Sequence, residues 1–126
     1  MSSILDGIQS KLEAISMESD VPMQGVYYGT CQEQELPEWN YFVFNKKKTK
    51  KSSGRISYLT YYEIHVIHED YIPEGYVEHV IEELTNHEEI ILNVTDEDII
   101  YDYIFKGNTN VVVEIATFTV TRPVKG

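Results

Sequence analysis

Six of the chain's ten basic residues fall between positions 46 and 55: Lys46, Lys47, Lys48, Lys50, Lys51 and Arg55, with no acid among them. Ammonium groups in such a run bind carboxylates or phosphates as point charges, without the planar fork that gives arginine its stereospecificity. That chemistry suits docking better than catalysis. The segment runs through Ser52-Ser53-Gly54 and lies between two stretches that read as strands, so it has the form of a long hairpin connection. It is either a solvated tip or an arm that docks on an acidic partner or on phosphate. As an arm, it is expected to be mobile in the free protein and ordered in an assembly. The other 4 basic residues stand against all 21 acidic ones, and the formal net charge is −11. Such an acidic surface repels phosphate and argues against a general nucleic-acid binder.

Other residue types offer less. Glu63, His65, His68 and Asp70 lie close together, as a metal-dependent hydrolase would want. On a strand, however, His65 and His68 face opposite sides. His79 and His87 do not form a His-Glu-x-x-His pattern. Asp96-Glu97-Asp98 lacks the spacing and the glycine of a calcium loop. Serine stands nowhere in a nucleophile elbow. Cys31, the one cysteine, sits beside Gln32 and Glu33, with no cation to activate it. A single cysteine also excludes an intramolecular disulfide and a cysteine-rich zinc site, and fits a reducing compartment. No catalytic, cofactor-binding or metal-ligating residue is assigned, and a non-enzymatic protein is expected.

The elements around these residues can be read from periodicity. The 126 residues suffice for one domain, 1–126, and mean hydropathy is −0.30, within the globular range. No apolar run approaches the ~20 residues of a membrane helix. Ile4, Leu5, Ile8, Leu12 and Ile15 predict an amphipathic helix over 3–16, opened by a Ser3/Asp6 capping pattern. Its acids and lack of a basic flank do not fit a secretory signal. Strands are predicted at Val26–Thr30, Trp39–Asn45 and Arg55–His68. A second helix is predicted over Pro73–Thr85, buried through Tyr76, Val77, Val80, Ile81 and Leu84, and ending at Asn86 and His87. Ile90–Val94 is a short strand candidate. A hairpin of Ile99–Phe105 and Val111–Thr121 then turns through Lys106–Asn110. The last strand changes its apolar parity midway, which predicts a bulge or burial on both faces.

The expected fold is α+β, a mostly antiparallel sheet with two helices in the order α-β-β-β-α-β-β. The expected core joins Ile8, Leu12, Ile15, Val77, Val80, Ile81 and Leu84 to Phe42, Phe44, Ile64, Val66, Phe118 and Val120. Both parities are apolar in the Trp39–Asn45 and Ile99–Phe105 strands. Two short helices cannot cover both faces of a five-strand sheet, so the sheet curls or a neighbouring subunit covers the rest; the subunit is the favoured reading. Ten tyrosines agree with it, since tyrosine is enriched at interfaces. Tyr61, Glu63, Tyr101 and Tyr103 are the candidate interface residues. Glu74, Glu78, Glu82 and Glu83 crowd the second helix's outer surface, so association through the sheet and its edges is expected instead.

The layout resembles a known family. The segments TYYEIHVIHED (60–70), IPEGYVEHVIEEL (72–84) and VEIATFTVTRP (113–123), following an N-terminal helix and a strand, are similar to the small tail-terminator (tail-completion) proteins of long-tailed bacteriophages and prophages. The resemblance implies a structural protein that forms a hexameric ring with its own copies, from free chains that are monomeric until they dock. The ring would cap the head-proximal end of the tail tube and join it to the head connector or stopper. DNA would pass through without specific binding, and no membrane would be involved. The protein would occupy the host cytoplasm during assembly and the virion tail afterwards. By analogy the lysine segment would contact a neighbouring subunit or the tube ring. A head-completion or tail-tube subunit is the near alternative. A small acidic inhibitor, such as a toxin-immunity protein or a nucleic-acid mimic, is the alternative of a different class, although clustered lysines suit a mimic poorly.

Overall fold

Ile8, Leu12 and Ile15 recur at helical spacing, and with Gly7 they are the buried residues of α1 (Ile4–Ser16). In this computed structural model, residues 4–18, 21, 23–30, 38–51, 58–86 and 91–122 are described. Ser3, Cys31, Arg55, His87 and the Ser52-Ser53-Gly54 stretch fall outside them. The second helix, α2 (Tyr76–Leu84), starts later than its proline suggests. Gly75 has φ 82, a left-handed conformation that cannot continue a right-handed helix. Pro73 instead opens a turn, closed by the Tyr76 N–H donating to the Pro73 carbonyl at 3.1 Å. The Thr85 hydroxyl donates to the Ile81 carbonyl at 2.8 Å and finishes the last turn.

Six strands follow from the alternating segments: β1 (Val26–Tyr28), β2 (Tyr41–Lys51), β3 (Tyr58–Glu69), β4 (Asn93–Val94), β5 (Ile100–Phe105) and β6 (Val112–Thr121). The sheet order is β1-β2-β3-β6, with β4 and β5 both lying along the outer edge of β6. The architecture is α+β and mostly antiparallel, with two corrections. Asn93–Val94, within the strand candidate Ile90–Val94, is a sixth strand that the expected order left out, and β1 runs parallel to β2.

The lysine run is also corrected. Lys46–Lys51 is not a connection but the second half of β2, paired with Tyr62–Tyr58 of β3. Tyrosine, leucine and threonine opposite favour extended backbone, and lysine stems lie along a sheet edge without burying charge. Register shifts once, between Lys46 and Lys48, leaving Lys47 as the bulged residue. Of the two readings of the last strand, a bulge or burial on both faces, the second holds. β6 pairs with β3 in unbroken register from Thr121 to Val113, and its parity change reflects burial on both faces. Ala116, Phe118 and Val120 enter the main core; Val113 is buried on the other face with Val43 and Ile67.

The main core contains every expected residue, Ile81 at its margin, together with Met23, Ile72, Tyr76, Leu92 and Ala116. Phe42, Phe44 and Phe118 are its largest fully buried side chains. Tyr76 stacks on Phe42 with ring centroids 6.3 Å apart. Its hydroxyl is buried with no hydrogen-bond partner among the described residues, and desolvation pushes its pKa well above the usual tyrosine value.

Two substitutions test this packing. Val80 is fully buried, so Val80→Asp strands a charge and is expected to cost on the order of 4 kcal/mol in urea unfolding; a native-like, equally stable variant would refute the assigned helix face. Tyr76→Phe removes an unsatisfied polar atom, so the unfolding midpoint should hold or rise. A loss beyond about 1 kcal/mol would show that the hydroxyl is bonded.

Candidate functional site

Paired residues in adjacent strands project from the same face, so the register assigns each side chain a side. Phe42, Ile64 and Phe118 define the helix-covered face. The opposite, open face carries Tyr41, Ile67 and Ile115 in one row, Val43, His65 and Thr117 in the next, and Asn45, Glu63 and Thr119 beyond. It is thus apolar towards one end and polar towards the other. Tyr27 and Tyr41 meet edge-to-face at 5.7 Å over the apolar end.

The polar end is a directed hydrogen-bond chain. His65 Nδ1 is 2.8 Å from Thr117 Oγ1, and His65 Nε2 is 2.8 Å from Asn45 Oδ1. Asn45 Nδ2 donates to Glu63 Oε1 at 3.1 Å. Since Asn45 Oδ1 can only accept, a neutral His65 donates through Nε2 and accepts the Thr117 hydroxyl through Nδ1. Burial lowers the His65 pKa, opposed by the Glu63 carboxylate, and so favours this neutral form. Both ring nitrogens are engaged by neutral partners. His68 lies on the other strand parity and bonds the Glu69 carbonyl at 2.8 Å, so Glu63, His65 and His68 do not converge.

The predicted docking residues divide between the two faces. Lys48 and Lys50 pair with Tyr61 and Leu59 on the open face, and Lys48 Nζ lies 5.0 Å from the Tyr61 ring centroid. Lys46 pairs with Tyr62 on the helix side. The bulge releases Lys47 to reach Glu97, with Nζ 2.7 Å from Oε2; this bond raises the lysine pKa and lowers the carboxylate's. Lys51 ends β2, and Arg55 lies outside the described residues. Tyr61 and Glu63 are half-buried on the open face. Tyr101 and Tyr103 pair with Ala116 and Glu114, on the helix side of β5. The structure therefore does not join the four candidate interface residues into one patch.

Sequence reasoning understated β5. All six of its residues are exposed, including Ile100 at 55%, Tyr103 at 61% and Phe105 at 62%. Ile100 and Ile104 project to the open face; Tyr101, Tyr103 and Phe105 project to the helix face. There, a shallow cleft of about 280 Å³ separates Tyr101 and Tyr103 from Pro73, Gly75 and Val77 at the start of α2. The Tyr103 hydroxyl donates to Glu114 Oε2 at 2.9 Å, and Glu114 Oε1 accepts the Ile72 N–H at 2.7 Å. Apolar side chains on both parities were the available signal, but a buried strand gives the same signal.

A second constellation was missed because its members are far apart in sequence. Glu18, His79 and Glu83 bring three ligand-capable atoms within 4.8 Å of one another where α1 meets α2. His79 and Glu83 are one helical turn apart, and His79 Nε2 donates to Glu18 Oε1 at 2.8 Å. The bond to Glu18 raises the His79 pKa, with Glu83 and Glu82 adding to it. The direct ion pair joins the segment just past α1 to α2.

Neither a protein-family model nor a curated protein matches this sequence.

The two histidines titrate on opposite sides of the ordinary value. His79, with a raised folded pKa, contributes stability that is complete below about 6.5 and is lost as pH rises through the folded value. His65, with a lowered pKa, contributes stability above about 6.5 that is lost as pH falls. In an NMR titration His79 should hold its proton to higher pH than His65. His79→Gln should lower the melting temperature more at about pH 5.5 than at about pH 8.5. A gap that does not vary with pH would remove the charged pair from the account.

Proposed function

We propose that this chain is a structural assembly subunit of the tail-terminator kind, a non-enzymatic protein that forms a hexameric ring on the head-proximal end of a phage tail tube and joins it to the head connector. The observation that carries the proposal is β5, an edge strand exposed over its whole length with apolar side chains on both faces. A protein that stays monomeric normally protects such an edge with several charges, proline or a covering element, whereas β5 has one charge, Asp102, no proline and no described element along its outer edge. A subunit that acts only when assembled keeps one open. The open face adds a second surface, with a lysine-bearing strand beside half-buried Tyr61 and Glu63. The net charge of −11 suits a ring through which DNA slides without adhering. The element order and the segments 60–70, 72–84 and 113–123 supply the resemblance to the family.

The test is polymerisation of the tail-tube protein from the same phage or prophage, followed by electron microscopy. With this chain present, tubes should stop growing and carry a six-fold ring at one end. Tubes that grow unchecked and bare would overturn the proposal. Stoichiometric inhibition of a nuclease by a stable monomer would instead select the acidic-inhibitor reading.

A further inference from the structure

Among the described strands, two of the sheet's free edges are long and unlike. One is β5. The other is the outer edge of β2 from Asn45 to Lys51, because β1 pairs only with Phe42–Phe44 and no other described strand reaches further. The β5 edge is apolar and acidic: Asp102 stands within it, and Asp96, Glu97 and Asp98 lead into it. The β2 edge carries lysines, of which Lys46, Lys48 and Lys50 are exposed. The two segments are of similar length, six and seven residues.

Charge sorts the pairings open to two such edges. Two β2 edges would set lysine against lysine. Two β5 edges would bring both acidic approaches together in a protein that is already strongly anionic. A β5 edge against a β2 edge places opposite charges in contact and leaves neither edge a good partner for itself.

Strand direction favours the same combination. β2 and β3 are antiparallel, as are β3 and β6, and β6 and β5, so β2 and β5 run in opposite directions within one sheet. A second copy placed beside the first by rotation, without being turned over, therefore offers its β2 antiparallel to β5. Side chains then match by face. Ile100, Asp102 and Ile104 share the open face with Lys48 and Lys50 of the neighbour. The lysine stems cover isoleucine while the ammonium groups reach Asp102.

We infer that β5 of one copy adds as a strand to the Asn45–Lys51 edge of β2 in the next, so that the sheet continues from copy to copy. The contact is head-to-tail, and such a contact closes into a ring when its rotation closes. The inference rests on the ring proposal for that closure and deepens it by naming the edges that meet.

Thiol cross-linking on concentrated protein tests the pairing. In a Cys31→Ser background, Asp102→Cys and Lys50→Cys are made separately and treated with a short bis-maleimide. Mixing the two variants should give a covalent dimer much faster than either variant alone. A chain carrying both changes should give a ladder. Preferential cross-linking of Asp102→Cys to itself, or no cross-linking in the mixture, would overturn the inference. Charge exchange supplies a second reading: Asp102→Lys should abolish association, and mixing it with a Lys48→Asp, Lys50→Asp partner should restore it. Failure to restore association would count against the pairing. A ring seen without these cross-links leaves the ring and removes the proposed edges. Cross-linked open chains or dimers without a ring leave the edges and remove the hexamer.

Discussion

Two helices of 13 and nine residues span about 20 Å and 14 Å, and the sheet they must cover has central strands of 10 to 12 residues, more than 30 Å long. This mismatch of lengths governs the molecule. Ile8, Leu12, Val77, Val80 and Leu84 meet Phe42, Phe44, Ile64, Val66, Phe118 and Val120 over the middle of one face, and among the described residues no helical surface remains for the rest. The outer ends of β2 and β3 lie beyond Thr121, the last β6 residue paired with β3, and continue as a two-stranded ribbon. Among the described residues, the opposite face has only its own side chains for cover. Tyr27, Trp39, Tyr41 and Ile115 shield Val43, Ile67 and Val113 at one end, while the bonded row from Thr117 to Glu63 satisfies the other.

The same shortage of cover makes the sheet edges the chemically distinctive regions. At β2 the exposed backbone comes with lysines and a bulge, two devices that discourage indiscriminate strand pairing. At β5 neither device is present, and apolar side chains stand out on both sides. The Lys47–Glu97 pair links the bulged strand to the segment leading into β5. Because that pair is exposed, it organises charge across the open face more than it stabilises the fold.

The core and fold class were legible because they rest on periodicity. Helical spacing identified Ile8, Leu12 and Ile15, and alternation identified Ile64, Val66, Phe118 and Val120. The α2 start was misplaced because Pro73 suits a first helical turn, whereas the left-handed Gly75 two residues later decides the matter. The lysine run was read as a loop because lysine has low strand propensity; what holds it extended is pairing with Tyr58 to Tyr62 of the next strand, which the run's own residues do not signal. Asn93–Val94 lay within a strand candidate but is too short to show a period, so it was left out of the element order. Exposure of β5 was illegible for a different reason. Alternation reports which residues share a face, not whether anything covers that face. Glu18 and His79 meet only through the packing of α1 on α2, and no local spacing encodes that contact.

β6 is flanked by β3 along one side and by β4 and β5 along the other, and it follows the other described elements in sequence. Its contacts with β3 join residues as far apart in sequence as Tyr61 and Thr121. During synthesis, everything from α1 to β5 therefore emerges before the strand that unites them. Until then β3 presents an unpaired inner edge, and Phe42, Phe44 and Ile64 lack Phe118. Non-local pairing of this kind slows folding and prolongs the exposure of apolar strands. The sheet is complete only once Val112–Thr121 has been made, so the exposure of the earlier strands to misfolding depends on how quickly the ribosome delivers that segment.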